Sequence, residues 1–195
     1  MFGLINRSLQ CFLRDTYGQP VWDAILREAR LDFGGFEAML SYPDDVTDQV
    51  IAAAAVILHR PRETLLEDLG LYLVSDAAGT PLRRLLRFSG ENFTDFLTSL
   101  EELPGRGRLI LPELDVPDIA LSERGSGNFI LRVTSSLRGC GHVLVGLLRA
   151  MADDYGALVL LENLGSEGND EVISIRVADQ DFAAARPFSL ALAEG

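Results

Sequence analysis

Phe129-Ile130-Leu131-Arg132-Val133-Thr134 decides the fold, because Phe129, Leu131 and Val133 alternate with Ile130, Arg132 and Thr134. A period of two puts alternate side chains on one face of a half-buried strand. Just upstream, Asp118 to Ser122 reads as a short strand, and Gly125-Ser126-Gly127 as the hairpin turn between them. Downstream, Val143, Leu144, Leu147, Leu148 and Met151 recur at helical spacing, which predicts a helix over 141–155 closed by Gly156. Ala157 to Leu164, a turn over Gly165 to Asp170, and Glu171 to Val177 then form a second hairpin, with Ile173, Ile175 and Val177 on one face.

Before residue 115 the apolar period is 3.6. Phe2, Ile5, Leu9, Phe12 and Leu13 mark a helix over 2–17; Trp22, Ile25, Leu26 and Ala29 mark a second, opened by Gln19-Pro20. Val50, Ile51, Ala54, Ile57 and Leu58 mark a third, with Asp44, Asp45 and Thr47 as cap candidates and His59-Arg60-Pro61 as its end. A fourth covers 62–74, a fifth starts at Thr80-Pro81 with Leu82, Leu85 and Leu86 inside, and a sixth covers 91–103. That last helix buries Phe93, Phe96, Leu97, Leu100 and Leu103, and Pro104-Gly105 is expected to stop it. Helices first and an antiparallel sheet with one inserted helix last define the α+β class. The expected division is a single domain over 1–180, with a helical part over 1–60, helices plus sheet over 61–180, and a tail over 181–195 that lacks strong periodicity.

Charge narrows the partners. The 195 residues carry 29 Asp and Glu against 17 cations, all arginine, for a net charge of −12. Counterion release on a polyanion needs clustered cations, so nucleic acid and anionic membrane are not expected partners. The longest apolar run, Val50 to Leu58, falls short of the ~20 residues of a bilayer span, and no secretory pattern opens the chain, so a cytoplasmic location is expected. Cys11 and Cys140 form no CxxC pair and read as small buried hydrophobes.

No GxSxG, P-loop, GxGxxG after a strand or HExxH occurs, so no catalytic residue set is expected. His59 reads as a helix-end histidine. His142, in Arg138-Gly139-Cys140-Gly141-His142, belongs either to a ligand pair with Cys140 or to a tight strand-to-helix turn. That neighbouring cysteine and histidine are the one feature that suggests an enzyme. Thr134, Ser136 and Arg138 follow one another at i, i+2, i+4 at a strand end, which would aim two hydroxyls and a guanidinium the same way as a carboxylate or phosphate clamp. The competing reading has Ser136 capping the next helix and Arg138 in solvent or against Asp44 or Asp45.

Several segments in order resemble the heme nitric oxide/oxygen binding domains, the H-NOX or HNOB family. They are Met1 to Gln10, Tyr17-Gly18, Val21-Trp22, Tyr42-Pro43-Asp44-Asp45-Val46-Thr47, Leu85 to Gly90, Asn92-Phe93 to Leu97, and Pro112-Glu113-Leu114 with Pro117. The similarity runs over about residues 1–178. It implies a gas-sensing signalling domain that holds heme b between its two parts and acts on a partner, a histidine kinase or a cyclic-dinucleotide enzyme. It implies that Ile5, Leu97, Leu100 and Pro117 line the macrocycle. Two departures follow from the same resemblance. Pro104 stands where the family has its iron-ligating histidine, and proline has no side-chain donor. The family's Tyr-x-Ser-x-Arg propionate clamp becomes Thr134-x-Ser136-x-Arg138, keeping serine and arginine and losing the phenol. The resemblance therefore implies either a regulatory domain degenerate in its heme site or a heme sensor with an unusual axial ligand, drawn from His142, Cys140, Cys11 or Met39.

Overall fold

A computed structural model describes residues 3–75, 86, 89–105 and 116–178. Four helices come first: α1 (Gly3–Tyr17), α2 (Gln19–Glu28), α3 (Asp44–Leu58) and α4 (Arg62–Leu73). The expected fifth helix lies outside the described residues except for Leu86, which is helical and buried. Then follow α5 (Phe93–Ser99), a 3₁₀ turn (Leu100–Glu102), β1 (Asp118–Glu123), β2 (Asn128–Thr134), α6 (Cys140–Tyr155), β3 (Val159–Glu167) and β4 (Asp170–Val177). The four strands pair antiparallel in the order β1-β2-β4-β3. This is the α+β architecture that the change of period predicts. None of the helices among the described residues is long and apolar enough to cross a membrane.

Two apolar cores divide the molecule. In the first, Leu9, Phe12 and Leu13 of α1 pack with Trp22, Ile25, Phe36, Val50 and Ile51, and α4 adds Leu65, Leu66 and Leu69. Polar groups there find partners in part: the Trp22 indole donates to the Gly34 carbonyl at 3.2 Å, Gln10 Oε1 accepts the Phe36 amide at 2.8 Å, and Asn6 Oδ1 accepts the Thr47 hydroxyl at 2.6 Å while the buried Asn6 Nδ2 has no partner among the described residues. The second core joins Phe93, Phe96, Leu97 and Leu100 to the inner sheet face, Phe129, Leu131, Val133, Ile173 and Ile175, and to Leu144, Leu148 and Met151 of α6.

Helices α4 and α6 connect the cores through an unusually close crossing. A Cβ on Gly70 would lie 1.9 Å from the Val143 carbonyl oxygen, and one on Gly146 would lie 1.9 Å from that of Glu67. Each helix thus offers the other a glycine where any side chain would strike backbone. Val143 of α6 consequently reaches the first core while its neighbour Leu144 sits in the second.

A hydrogen bond from the Tyr72 hydroxyl to Asp15 Oδ2 at 2.7 Å ties α4 to α1. Burial, and then the Asp15 carboxylate that accepts its proton, push the Tyr72 phenol well above its usual range. A folded-state value above the unfolded one favours the protonated native state, so this contribution is intact below about pH 10 and is lost as pH rises beyond it. Unfolding stability is expected to decline in that alkaline window. Tyr72→Phe should lower stability near neutral pH by about 1 kcal/mol and flatten the alkaline decline, both measurable by urea denaturation across pH.

Two local expectations need correction. Pro104 does not end its helix: after α5 the chain tightens into the 3₁₀ turn and residues 103–105 are helical again, with Pro104 buried. The missing proline amide explains the switch. The Leu100 carbonyl, which an α-helix would bond to the N–H of residue 104, takes the Leu103 N–H instead. In the second hairpin, β3 runs on through Gly165 to Glu167 with a register shift between Asn163 and Gly165, so the turn is confined to Gly168 and Asn169. Gly165 had suggested a turn because a bulge and a turn attract the same residue.

Candidate cofactor clamp and its cleft

The segment between β2 and α6 carries the residues singled out as a clamp. β2 stops at Thr134 and the chain bends at Ser136 and Leu137, so the i, i+2, i+4 rule does not extend to Ser136 and Arg138. Thr134 is turned to the sheet: its Oγ1 donates to Asp170 Oδ1 on β4 at 2.5 Å. Ser136 and Arg138 are exposed, with Leu137 half-buried between them. Ser136 does not cap the next helix. The Ncap of α6 is Gly139, with φ of 84°, and it is Ser135 whose Oγ accepts a backbone proton, from Leu137 at 3.1 Å.

The start of α6 is satisfied from a distance. Glu171 on β4 accepts the Gly139 amide on Oε1 at 2.7 Å and the Gly141 amide on Oε2 at 3.0 Å. A carboxylate spanning the first amides answers both the orphan donors and the positive end of the helix dipole. Gly141 makes this possible, since a Cβ there would lie 2.7 Å from Glu171 Oε2 and 2.9 Å from Asn163 Nδ2. Glu171→Ala is therefore expected to lower unfolding stability by about 1–3 kcal/mol, with Glu171→Gln recovering part of the loss through its remaining acceptor oxygen. Thermal melts of the two variants check the order.

Arg62 fixes the same segment from the other side, pairing with Asp48 and donating to the Arg138 carbonyl at 3.0 Å. Around these groups lies a cleft of about 660 Å³ between α3, α4, the start of α6 and the β3–β4 hairpin. Arg62 and Arg138 face Asp48, Glu63 and Glu171 across it, with His142 and Asn163 on its wall. Its charges are mixed, and the anion position at the end of α6 is taken by the protein's own Glu171. A carboxylate reaching Arg138 here enters beside three acidic side chains.

The other candidates are dispersed. Leu97 and Leu100 are fully buried in the second core, whereas Ile5 on α1 and Pro117 before β1 are half-buried. Cys140 lies in the second core, two residues from His142, whose Nδ1 lies 3.4 Å from Glu67 Oε1; Arg149 donates to the other oxygen of that carboxylate. Cysteine and histidine at i, i+2 on a helix leave on different sides. Cys11 is half-buried on α1, and Met39 is 75% exposed. His59 takes the left-handed conformation that closes α3. Of the clamp-like pattern, sequence reasoning missed Glu171, Asp170 and Arg62. They lie far from it along the chain, and the only hint was the pair of glycines around Cys140, which signals a close approach to something.

Compared with known proteins, the profile of the Haem-NO-binding family matches residues 2–162. The chain belongs to this family. It is 20% identical over 170 residues to soluble guanylate cyclase 89Da of Drosophila melanogaster, covering 87% of this chain and 26% of that protein. It is 21% identical over 168 residues to soluble guanylate cyclase gcy-31 of Caenorhabditis elegans, covering 86% and 24%. The chain thus spans about a quarter of the length of these relatives. Among solved structures it resembles an H-NOX protein from S. oneidensis in the Fe(II)NO ligation state, with TM-score 0.74, 19% identity, and coverage of 92% of this chain and 100% of that one. An unliganded Fe(II) H-NOX mutant from K. algicida gives TM-score 0.76 at 18% identity, covering 94% and 100%. At these identities the structures share the H-NOX fold.

H-NOX domains form a family of heme-binding gas sensors. On the helical segment after Leu97 and Leu100, the buried residue is Pro104, which has no donor atom. Thr134 directs its hydroxyl to Asp170, and His142 lies against Glu67.

Proposed function

We propose that this chain is a sensory or regulatory H-NOX domain, degenerate in its heme site, that acts in the cytoplasm through a protein partner and has no catalysis of its own. The observation that carries the reading is Pro104: buried, helical and without a donor, at the position to which the resemblance to the family assigns the iron-ligating histidine. The commitment of Thr134 to Asp170 supports it further, since the phenol it replaces would have been the third member of the carboxylate clamp. Ser136 and Arg138 remain as the clamp's other two members, and Ile5, Leu97, Leu100 and Pro117 as the apolar lining. Heme association at such a site would rest on burial of the macrocycle and on contacts worth ~1–3 kcal/mol each, without an iron–imidazole bond. The partner is by resemblance a histidine kinase or a cyclic-dinucleotide enzyme, a role for which the cyclases among its relatives offer a parallel.

The visible absorption spectrum of the purified chain, before and after addition of hemin, tests this. The expected result is no stoichiometric Soret band in either case. A full complement of heme with a five-coordinate ferrous histidine spectrum overturns the proposal. So does a stoichiometric band abolished by His142→Ala or Cys140→Ala, which would make the chain a heme sensor with an unusual ligand.

A further inference from the structure

Among the described residues β1 has a strand neighbour on one side, β2. Just past β1, Arg124 donates its amide to the Asn128 carbonyl at 2.7 Å, so the even positions bond toward β2. In an antiparallel ladder the intervening residues point the other way, which turns the odd amides of β1 to the open edge. At the middle of that edge Glu101 stands in for a strand: its Oε1 accepts the Leu121 amide at 2.9 Å. Leu103, Ile119 and Leu121 all pack against the second core, in which Leu100 is fully buried. The segment that carries Pro104 thus shares a core with β1 beneath the sheet and bonds to it at the edge.

The tightened helix sets where that carboxylate lies. From Ser99 to Glu101 a 3₁₀ path turns ~240° and rises ~4 Å, whereas an α path turns ~200° and rises ~3 Å. At ~6 Å from the axis, the difference of about 40° moves a side-chain end by about 4 Å. That shift is larger than the 2.9 Å bond itself. The tightening follows from Pro104, because the Leu100 carbonyl takes the Leu103 amide where residue 104 offers none.

We infer that Pro104 and Glu101 act together as a strap. The proline holds the turn in its 3₁₀ form, the turn presents Glu101, and Glu101 fastens the segment over 93–105 to the edge of the sheet. While it is fastened, the Leu121 amide is closed to any other strand. This role does not depend on whether heme is bound.

Hydrogen–deuterium exchange on the full chain, read at single amides, tests it. Glu101→Ala is expected to exchange the Leu121 amide at least tenfold faster, and Glu101→Gln, which keeps an acceptor oxygen, should stay within threefold of the unmodified chain. Pro104→Ala restores an amide at residue 104 and leaves Glu101 in place, yet should also speed Leu121 at least tenfold. The Ser122 amide, which bonds toward β2 opposite Ile130, should not change in any of the three. A Leu121 amide that exchanges equally in the unmodified and Glu101→Ala chains overturns the strap. Full protection of Leu121 in Pro104→Ala overturns it too, since the proline would then have no part in presenting Glu101. So does a Ser122 amide that speeds up together with Leu121, which would mean that β1 leaves the sheet as a whole.

Discussion

Gly70→Ala and Gly146→Ala are each expected to lower unfolding stability by about 2–3 kcal/mol. At an ordinary helix position alanine would instead gain about 1 kcal/mol over glycine. The sign reverses here because each new methyl would stand 1.9 Å from a backbone oxygen of the facing helix. A backbone carbonyl cannot rotate aside as a flexible side chain can, so α4 and α6 must move apart. Separation would loosen Leu66 and Leu69 against Val143 in the first core and disturb Leu147 and Leu148 in the second. The double variant should lose less than the sum of the two, since helices already separated by one methyl meet the second with less strain. Gly34→Ala is the control, because a Cβ there has no atom within 4 Å and the change should be near neutral. Urea denaturation of the four variants beside the unmodified chain decides it; a Gly146→Ala variant as stable as Gly34→Ala would show that the crossing is not close.

The second large effect is a gain of colour. Pro104→His is expected to bind hemin at least tenfold more tightly than the unmodified chain, with a new Soret band. Histidine supplies the donor that proline lacks, and it restores an amide able to reach the Leu100 carbonyl, releasing the 3₁₀ constraint. Adding Thr134→Tyr should tighten binding again by restoring the phenol. It also removes the hydrogen bond from Thr134 to Asp170 and should lower stability by about 1 kcal/mol. Hemin binding equal in the unmodified, single and double variants would mean that lost ligation is not the defect.

The sequence by itself determined the class and order of the elements. Apolar spacing is set by where backbone geometry places successive side chains, so the switch from 3.6 to 2 near residue 115 survives folding as the boundary between helices and sheet. Phe129, Leu131 and Val133 on one strand, and Ile173 and Ile175 on another, face the core as their alternation requires. The family, too, was legible, because its matching segments recur in order.

The tertiary structure decided what the clamp residues and Pro104 do. The i, i+2, i+4 rule holds only while the strand continues, and where β2 ends depends on its partner: Thr134 is held by Asp170, 36 residues away, and the chain bends just beyond it. The α6 terminus draws its cap from Glu171 because a sheet register, Val133 opposite Glu171, brings that carboxylate beside Gly139 and Gly141. Pro104 reads locally as a stop. It is instead the second residue of a renewed helical turn, because a 3₁₀ step had already spared the hydrogen bond that proline cannot make. Local spacing fixes which side of an element a residue occupies; the carboxylate, carbonyl or core it then meets is set by contacts between elements far apart in the chain.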